Sequence, residues 1–436
     1  MFCLRNCNIV GLGERDVLFD SKIRKIGKNL RADESFDARG MLLLPGLIDS
    51  HVHFREPGGE QKEGWETGSR AAAHGGITCV LDMPNTSPPT TSVAALEEKR
   101  RLVSKRSIID YGLHFGATSA NVPEIMRAKN IPAIKVFLGS STGSLLLDEN
   151  VHAVFAAAKK KKKPAFVHAE DEGAIKRFGD VFRKRAAANP RTYSAASIHS
   201  MVRSNAAAAE AASRALRIAE KTGNRIHLAH CTTAQEAEII AYAKKKGVHV
   251  TMEVTPHHLF LTSDDMKKLG NYGKVNPPLR SLKDVDALWA ALRSGVVDTI
   301  ATDHAPHMRG EKEADYWAAP SGMPGVETML PLLLNAVSKR LLALEDVQRL
   351  CCENPAKIFG VKNKGRIAAG CDADMTIVDL RLAKKVRSEE LLTKCKWSAF
   401  EGMPLKGWPV RVWSRGAMVF DGETIIPHEG REASFD

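Results

Sequence analysis

The segment Asp49-Ser50-His51-Val52-His53-Phe54-Arg55 follows the apolar run Met41-Leu42-Leu43-Leu44-Pro45-Gly46-Leu47-Ile48. An H-x-H at the end of a strand puts both imidazoles on one face, because strand side chains alternate with period two. By the same count Arg55 falls on that face. Paired neutral imidazoles suit zinc or a similar divalent ion. Alone, the pattern fits an ordinary polar strand end equally well.

Residues of the same chemistry recur in later apolar runs. Lys135 lies in Ile134-Lys135-Val136-Phe137-Leu138 and His168 in Phe166-Val167-His168-Ala169-Glu170. His230 lies in Leu228-Ala229-His230-Cys231 and Asp303 in Ile300-Ala301-Thr302-Asp303-His304. Burying so many polar groups without partners is costly, which argues against core filling and for a metal constellation. Lys135 leaves two readings open. One is a structural ion pair. The other is a lysine of lowered pKa that reacts with carbon dioxide, giving a carbamate able to bridge two metals. From the residues alone the ion pair is the simpler reading.

The positioning elements alternate. The apolar runs are Leu47–His53, Ile77–Met83, Tyr111–Ala117, Ala133–Leu138, Ala165–Ala169, Arg225–His230, His249–Val254 and Asp298–Asp303. Helix-period segments such as Val151–Lys162, Ser204–Lys221 and Thr233–Lys246 separate them. This alternation predicts an α/β fold, a TIM-like (β/α)8 barrel over residues 46–360, with its chemistry at the C-terminal strand ends. Residues 1–45 and 361–436 read as short strands with turns. They are expected to pair into one small β-sandwich domain beside the barrel.

The net charge of +12 would favour an anionic ligand or a nucleic acid. Much of the excess sits in Lys159–Lys163 and Lys244–Lys246, which end helical segments and complement the helix C-terminus. No aromatic-rich basic motif accompanies them, so nucleic-acid binding is not expected. The eight cysteines show no C-x-x-C spacing. Reduced, buried thiols in a cytoplasmic protein follow, with Cys3, Cys7, Cys351 and Cys352 as packing residues. The N-terminus does not look like a secretory signal, and no apolar stretch approaches a bilayer span.

Longer motifs add a resemblance. Pro45-Gly46-Leu47-Ile48-Asp49-Ser50-His51-Val52-His53-Phe54-Arg55-Glu56-Pro57-Gly58 resembles the cyclic amidohydrolases, most closely the dihydroorotase family. So do Asp82-Met83-Pro84-Asn85-Thr86, Glu253-Val254-Thr255-Pro256-His257-His258, Asn276-Pro277-Pro278-Leu279-Arg280 and Ala301-Thr302-Asp303-His304-Ala305-Pro306-His307. The closing Asn354-Pro355-Ala356-Lys357-Ile358-Phe359-Gly360 also fits.

The resemblance implies a site of two zinc ions. His51, His53 and Asp303 would hold one, and His168 and His230 the other. Carboxylated Lys135 and a hydroxide would bridge them, which reverses the ranking for Lys135. The resemblance further implies reversible ring opening of dihydroorotate to N-carbamoyl-aspartate, with Asp303 as the catalytic acid–base. Arg55, Asn85 and His307 would hold the substrate carboxylate, and Asn276 and Gly322 would line the ring pocket. It implies a homodimer and allows association with aspartate transcarbamoylase. Hydantoinase or allantoinase chemistry is the nearest rival. A catalytically silent structural partner is a second, against which all the metal positions are filled. The loop Gly139–Ser144 reads as a mobile lid or a plain turn.

Overall fold

A computed structural model describes residues 1–141, 145–147, 149–189 and 195–436. Five strands open it: β1 (Phe2–Ile9), β2 (Gly13–Phe19), β3 (Ile23–Gly27), β4 (Glu34–Asp37) and β5 (Leu42–Pro45). The β1 strand pairs antiparallel with β2. Its other edge is divided, with Phe2–Arg5 alongside β4 and Asn8–Ile9 alongside β5.

The barrel strands follow: β6 (Leu47–Val52), β7 (Ile77–Asp82), β8 (Asp110–Leu113), β9 (Phe115–Gly116) and β10 (Ile134–Phe137). Then come β11 (Ala165–His168), β12 (Ile226–Leu228), β13 (Val250–Val254) and β14 (Thr299–Ile300). All their ladders are parallel. Strands covered on both faces are nearly continuous apolar runs, which is why the sequence showed them so directly. The third expected strand is split at His114: its N–H makes the last bond to β7, at Asp82, and the next N–H, of Phe115, bonds Ala133 beside β10. Thus β8 pairs with β7, and β9 with β10. A bridge between Val52 and His304 closes the ring, backed by the His53 N–H on the His304 carbonyl at 2.8 Å.

Three strands complete the second unit: β15 (Met375–Lys385), β16 (Pro404–Ser414) and β17 (Ala417–Phe420). Strand β15 pairs antiparallel with β5, Ile377 opposite Leu43, and so joins the two chain ends as expected. Leu4, Val17, Phe19, Leu43, Met375, Ile377 and Trp413 form its separate apolar core. Because β5 runs through Gly46 into β6, the β unit carries the first barrel strand directly. The last residues differ from the rest of that segment. Ala433 and Phe435 pack against Ile48, Cys79 and Leu81 of the barrel.

The helices begin where the sequence supplies caps. Ser204 Oγ accepts from the Ala207 N–H, and Thr233 and Glu236 form a reciprocal capping box. Each such cap contributes about 1 kcal/mol. The lysine runs end the helices Val151–Lys160 and Ala234–Lys245. Lys161 and Lys163 donate to the Ala128 and Asp436 carbonyls, and Lys244 to the Val296 carbonyl. These three lysines therefore serve the fold locally.

A buried ion cluster ties barrel to β unit. Lys364 Nζ lies 2.6 Å from Asp110 and 3.2 Å from Asp372, and also meets Asp374. Arg415 adds contacts at 3.1 Å to Asp110 and 3.4 Å to Asp372. Burial opposes the Lys364 charge, but Asp374 and Asp110 hold its ammonium well above the ordinary range. Among the described residues, no helix is long and apolar enough to cross a membrane.

Candidate active site

The β6, β10, β11, β12 and β14 strands deliver their chemistry to one cavity of about 380 Å³. It is lined by His51, His53, Arg55, Asn85, Lys135, His168, His230, Asn276, Asp303 and Gly322, along with Phe137, Ser141, Ala305 and Ser321. His307 stands behind this wall, its Nε2 3.1 Å from Arg55 Nη2. Residues spread over more than 250 positions thus converge at the C-terminal strand ends, as the barrel geometry requires.

Three acceptors converge on one another. The Nδ1 atom of His51 meets Glu253 Oε1 at 2.7 Å, and Nδ1 of His53 meets Asn85 Oδ1 at 2.9 Å. Each contact requires the proton on Nδ1, which leaves the Nε2 lone pairs bare. Those lone pairs face the same oxygen, Asp303 Oδ1, at 3.3 Å for His51 and 3.1 Å for His53. The three ligand atoms lie within 4.8 Å of one another. A divalent cation fits this donor set, because it turns mutual repulsion into coordination.

A second donor group lines the same cavity. His168 Nε2 meets Glu170 at 3.1 Å, so its Nδ1 lone pair is turned toward His230 Nε2, 3.0 Å away. Burial lowers the pKa of both histidines, and that of His53 to about 3. All three are therefore neutral imidazoles, the state a metal ligand needs.

The Lys135 amine is fully buried and lacks a hydrogen-bond partner. It sits 4.2 Å from the centroid of the Phe166 ring. Burial brings its pKa down to about 8, against weaker support from Glu253 and Asp303. The structural ion pair is thus not what the geometry offers, and an orphaned amine of low basicity fits a carbamate. For Asp303, burial opposes ionisation; a carboxyl held well below its usual range needs positive charge at its oxygens, and with bare imidazole nitrogens facing it that role falls to a bound cation.

The backbone is strained at the site. Arg55, His230 and Asp303 take φ values of +65°, +32° and +46°, unfavourable for side chains with a Cβ. Alternation does not place Arg55, because β6 ends at Val52. The left-handed turn at Arg55 brings its guanidinium to the cavity wall instead. Its alternative partners are engaged elsewhere: Glu56 accepts from the Trp65 N–H, and Glu63 from Thr393. Gly322 has φ +141°, and a Cβ there would sit 2.4 Å from the Ala305 carbonyl oxygen. The Oδ1 of Asn276 is buried without a partner. Asn85, expected on the substrate, also orients His53.

Several residues escaped the sequence reading. Glu253 is fully buried in β13 and accepts from His51 Nδ1 and from the His230 N–H at 3.1 Å. Arg203 neutralises Glu170. A charged residue inside an apolar strand was the available signal for Glu253, the same anomaly that singled out Lys135. Cys231 does not join the cavity; its side chain lies in the barrel core. Of the expected lid, the Ser140 N–H donates to Glu172 and Ser141 lines the cavity, while Thr142–Ser144 fall outside the described residues.

The Amidohydrolase family model matches residues 42–419. The chain belongs to the amidohydrolase family. The dihydroorotase of Halobacterium salinarum is 41% identical to this amidohydrolase, over 96% of each chain. The dihydroorotase of Methanosarcina mazei is 40% identical, over 95% of this chain and 92% of its own. A solved L-hydantoinase (dihydropyrimidinase) from Arthrobacter aurescens superposes with a TM-score of 0.94 at 30% identity, covering 99% of both chains. The resemblance read from the motifs is borne out, and so are the barrel and its added β unit. An amidohydrolase with a cavity this small takes a small-molecule substrate.

Proposed function

We propose that this amidohydrolase is a dihydroorotase, interconverting L-dihydroorotate and N-carbamoyl-L-aspartate in de novo pyrimidine biosynthesis. One observation carries the choice of substrate: Arg55 lies on the wall of the cavity that gathers the histidines, Lys135 and Asp303. A guanidinium offers a planar fork for a carboxylate. Dihydroorotate has that carboxylate, and hydantoin does not. Similarity to proteins named dihydroorotase supports the same reading.

His51, His53 and Asp303 would hold one zinc ion and His168 and His230 a second, with Lys135 as the carbamate between them. The neutral Lys135 amine would form its N–C bond to carbon dioxide with loss of one proton. Bound metal supplies Lewis acidity toward the amide carbonyl and a water of lowered pKa.

The chain's own residues do the rest. Arg55 and His307 bind the carboxylate and fix the ring against Asn276. In ring opening, oxygen from one water bonds to the amide carbon and the C–N bond breaks. Asp303, held ionised, takes the water's proton and delivers it to the leaving ring nitrogen. In closure it removes the proton from the ureido nitrogen. Residues 46–360 would form the catalytic barrel, and 1–45 with 361–436 the β domain. All eight cysteines are free thiols, which supports a cytoplasmic location. The homodimer and the association with aspartate transcarbamoylase rest on the resemblance alone.

The deciding experiment measures turnover of dihydroorotate beside hydantoin, dihydrouracil and allantoin, with zinc per chain on the same sample. Preferred turnover of dihydroorotate is expected. The fold shared with the solved L-hydantoinase favours the second reading, which preferred turnover of hydantoin would establish. A chain that binds no metal and turns over nothing would be a silent relative.

A further inference from the structure

His307 is buried beside two cations. Burial, then Arg55 and Lys62, hold it far below the ordinary imidazole range, so the ring is neutral. A neutral imidazole has one N–H and one bare lone pair. Its Nδ1 lies 3.2 Å from Lys62 Nζ. An ammonium only donates, so Nδ1 is the acceptor. Its Nε2 lies 3.1 Å from the Ser321 carbonyl oxygen, which only accepts. The proton is therefore on Nε2. Two contacts on opposite sides of the ring select the same tautomer.

That tautomer has a consequence at Arg55. Its Nη2 lies 3.1 Å from the same Nε2, so a donor faces a donor and neither satisfies the other. Arg55 and Ser321 both line the cavity. The His307 N–H is thus taken by Ser321, and the Arg55 Nη2 donor beside it is not taken up by His307.

Lys62 is itself held in place. Its ammonium meets Glu311 Oε1 at 2.7 Å, and Glu311 Oε2 accepts from the Met308 N–H at 3.0 Å. The same Oε2 is 4.0 Å from His307 Nδ1. Without the ammonium, Glu311 would compete with the Ser321 carbonyl for the His307 proton and draw it to Nδ1. Bare Nε2 would then accept from Arg55, and the pair would close on itself.

We propose that Lys62 is a positioning residue: it holds His307 as the Nε2–H tautomer, which cannot accept from Arg55, so that the Arg55 Nη2 donor stays available to a carboxylate. The identity of that carboxylate rests on the dihydroorotase reading; the tautomer does not.

The test uses two variants of the whole chain, Lys62→Met and Lys62→Arg. Lys62 is 19% exposed, so neither opens the core. Long-range proton–nitrogen NMR on protein carrying 15N-histidine reads the tautomer, with the His307 signal assigned by its loss in His307→Gln. Wild type and Lys62→Arg are expected to show Nε2–H, and Lys62→Met to show Nδ1–H. Retention of Nε2–H in Lys62→Met overturns the proposal whatever the activity. Steady-state kinetics on dihydroorotate read the second half. Lys62→Met is expected to raise KM by ~10- to 100-fold, the scale of a lost charge-assisted hydrogen bond. Its kcat is expected to stay within about threefold, since the lost contact acts on binding. A shifted tautomer with unchanged KM overturns the link between the tautomer and carboxylate binding by Arg55. If wild type does not turn over dihydroorotate, the function reading has failed, and the NMR result still decides the role of Lys62.

Discussion

Replacing Glu253 by glutamine tests whether the histidines are aimed by their buried partners. The Glu253 carboxylate accepts from His51 Nδ1 at 2.7 Å, the His230 N–H at 3.1 Å, and His227 Nε2 and Ser50 Oγ at 3.4 Å each. It is fully buried, and burial opposes its charge, yet His51 and His227 hold its pKa well below the carboxylate range. Glutamine keeps the shape, removes the charge and turns one acceptor into a donor. It accepts from His51 only by directing its amide N–H groups at His227 and Ser50. His227 tolerates this, because its Nδ1 meets Thr251 Oγ1 at 2.8 Å and that hydroxyl accepts or donates. The fold should survive while the aim of His51 loosens. A hydrogen bond to a charged group contributes about 1.5–3 kcal/mol, and losing a ligand's partner typically costs ~10–100-fold in metal affinity. The expected Kd for zinc therefore rises ~10- to 100-fold, about 1.4–2.7 kcal/mol. Competition against a fluorescent chelator measures it, with circular dichroism as the control for folding. An unchanged zinc Kd in a folded Glu253→Gln protein would show that the carboxylate does not set the Nε2 lone pair of His51, and the argument from converging acceptors would fail.

Other perturbations probe separate parts of the site and fold. Lys135→Ala should lower zinc per chain, with partial recovery on adding short carboxylic acids; a full complement by elemental analysis would contradict the carbamate. Arg55→Lys should raise KM for dihydroorotate about tenfold or more, because a point charge cannot replace the planar fork. An unchanged KM would remove Arg55 from substrate binding. Lys364→Met leaves Asp110 and Asp374 without their shared counterion, which should cost about 3–5 kcal/mol in stability. Chemical denaturation reads that loss, and a change under about 1 kcal/mol would show that Arg415 compensates alone.

The sequence by itself determined the framework and the ligand types. Buried parallel strands must be apolar throughout, so the barrel strands stood out as runs, and residues such as Lys135 and His168 stood out within them. The pairing of the chain ends was legible for the same reason, since short alternating strands cannot bury a face alone.

Tertiary structure decided what depends on direction and long-range contact. Alternation put Arg55 on the face of His51, but the strand ends at Val52 and a left-handed turn delivers the guanidinium. The third strand divides at His114: its N–H makes the last bond to β7, at Asp82, and the next N–H, of Phe115, bonds Ala133 beside β10. Protonation was decided there as well. Which nitrogen of His51, His53 or His307 is bare depends on Glu253, Asn85 and Lys62, up to 245 positions away, through contacts no local pattern encodes. The sequence listed the groups able to bind metal and carboxylate. Only the folded chain turned their lone pairs and protons toward a common point, because an imidazole's direction is set by whatever meets its other nitrogen.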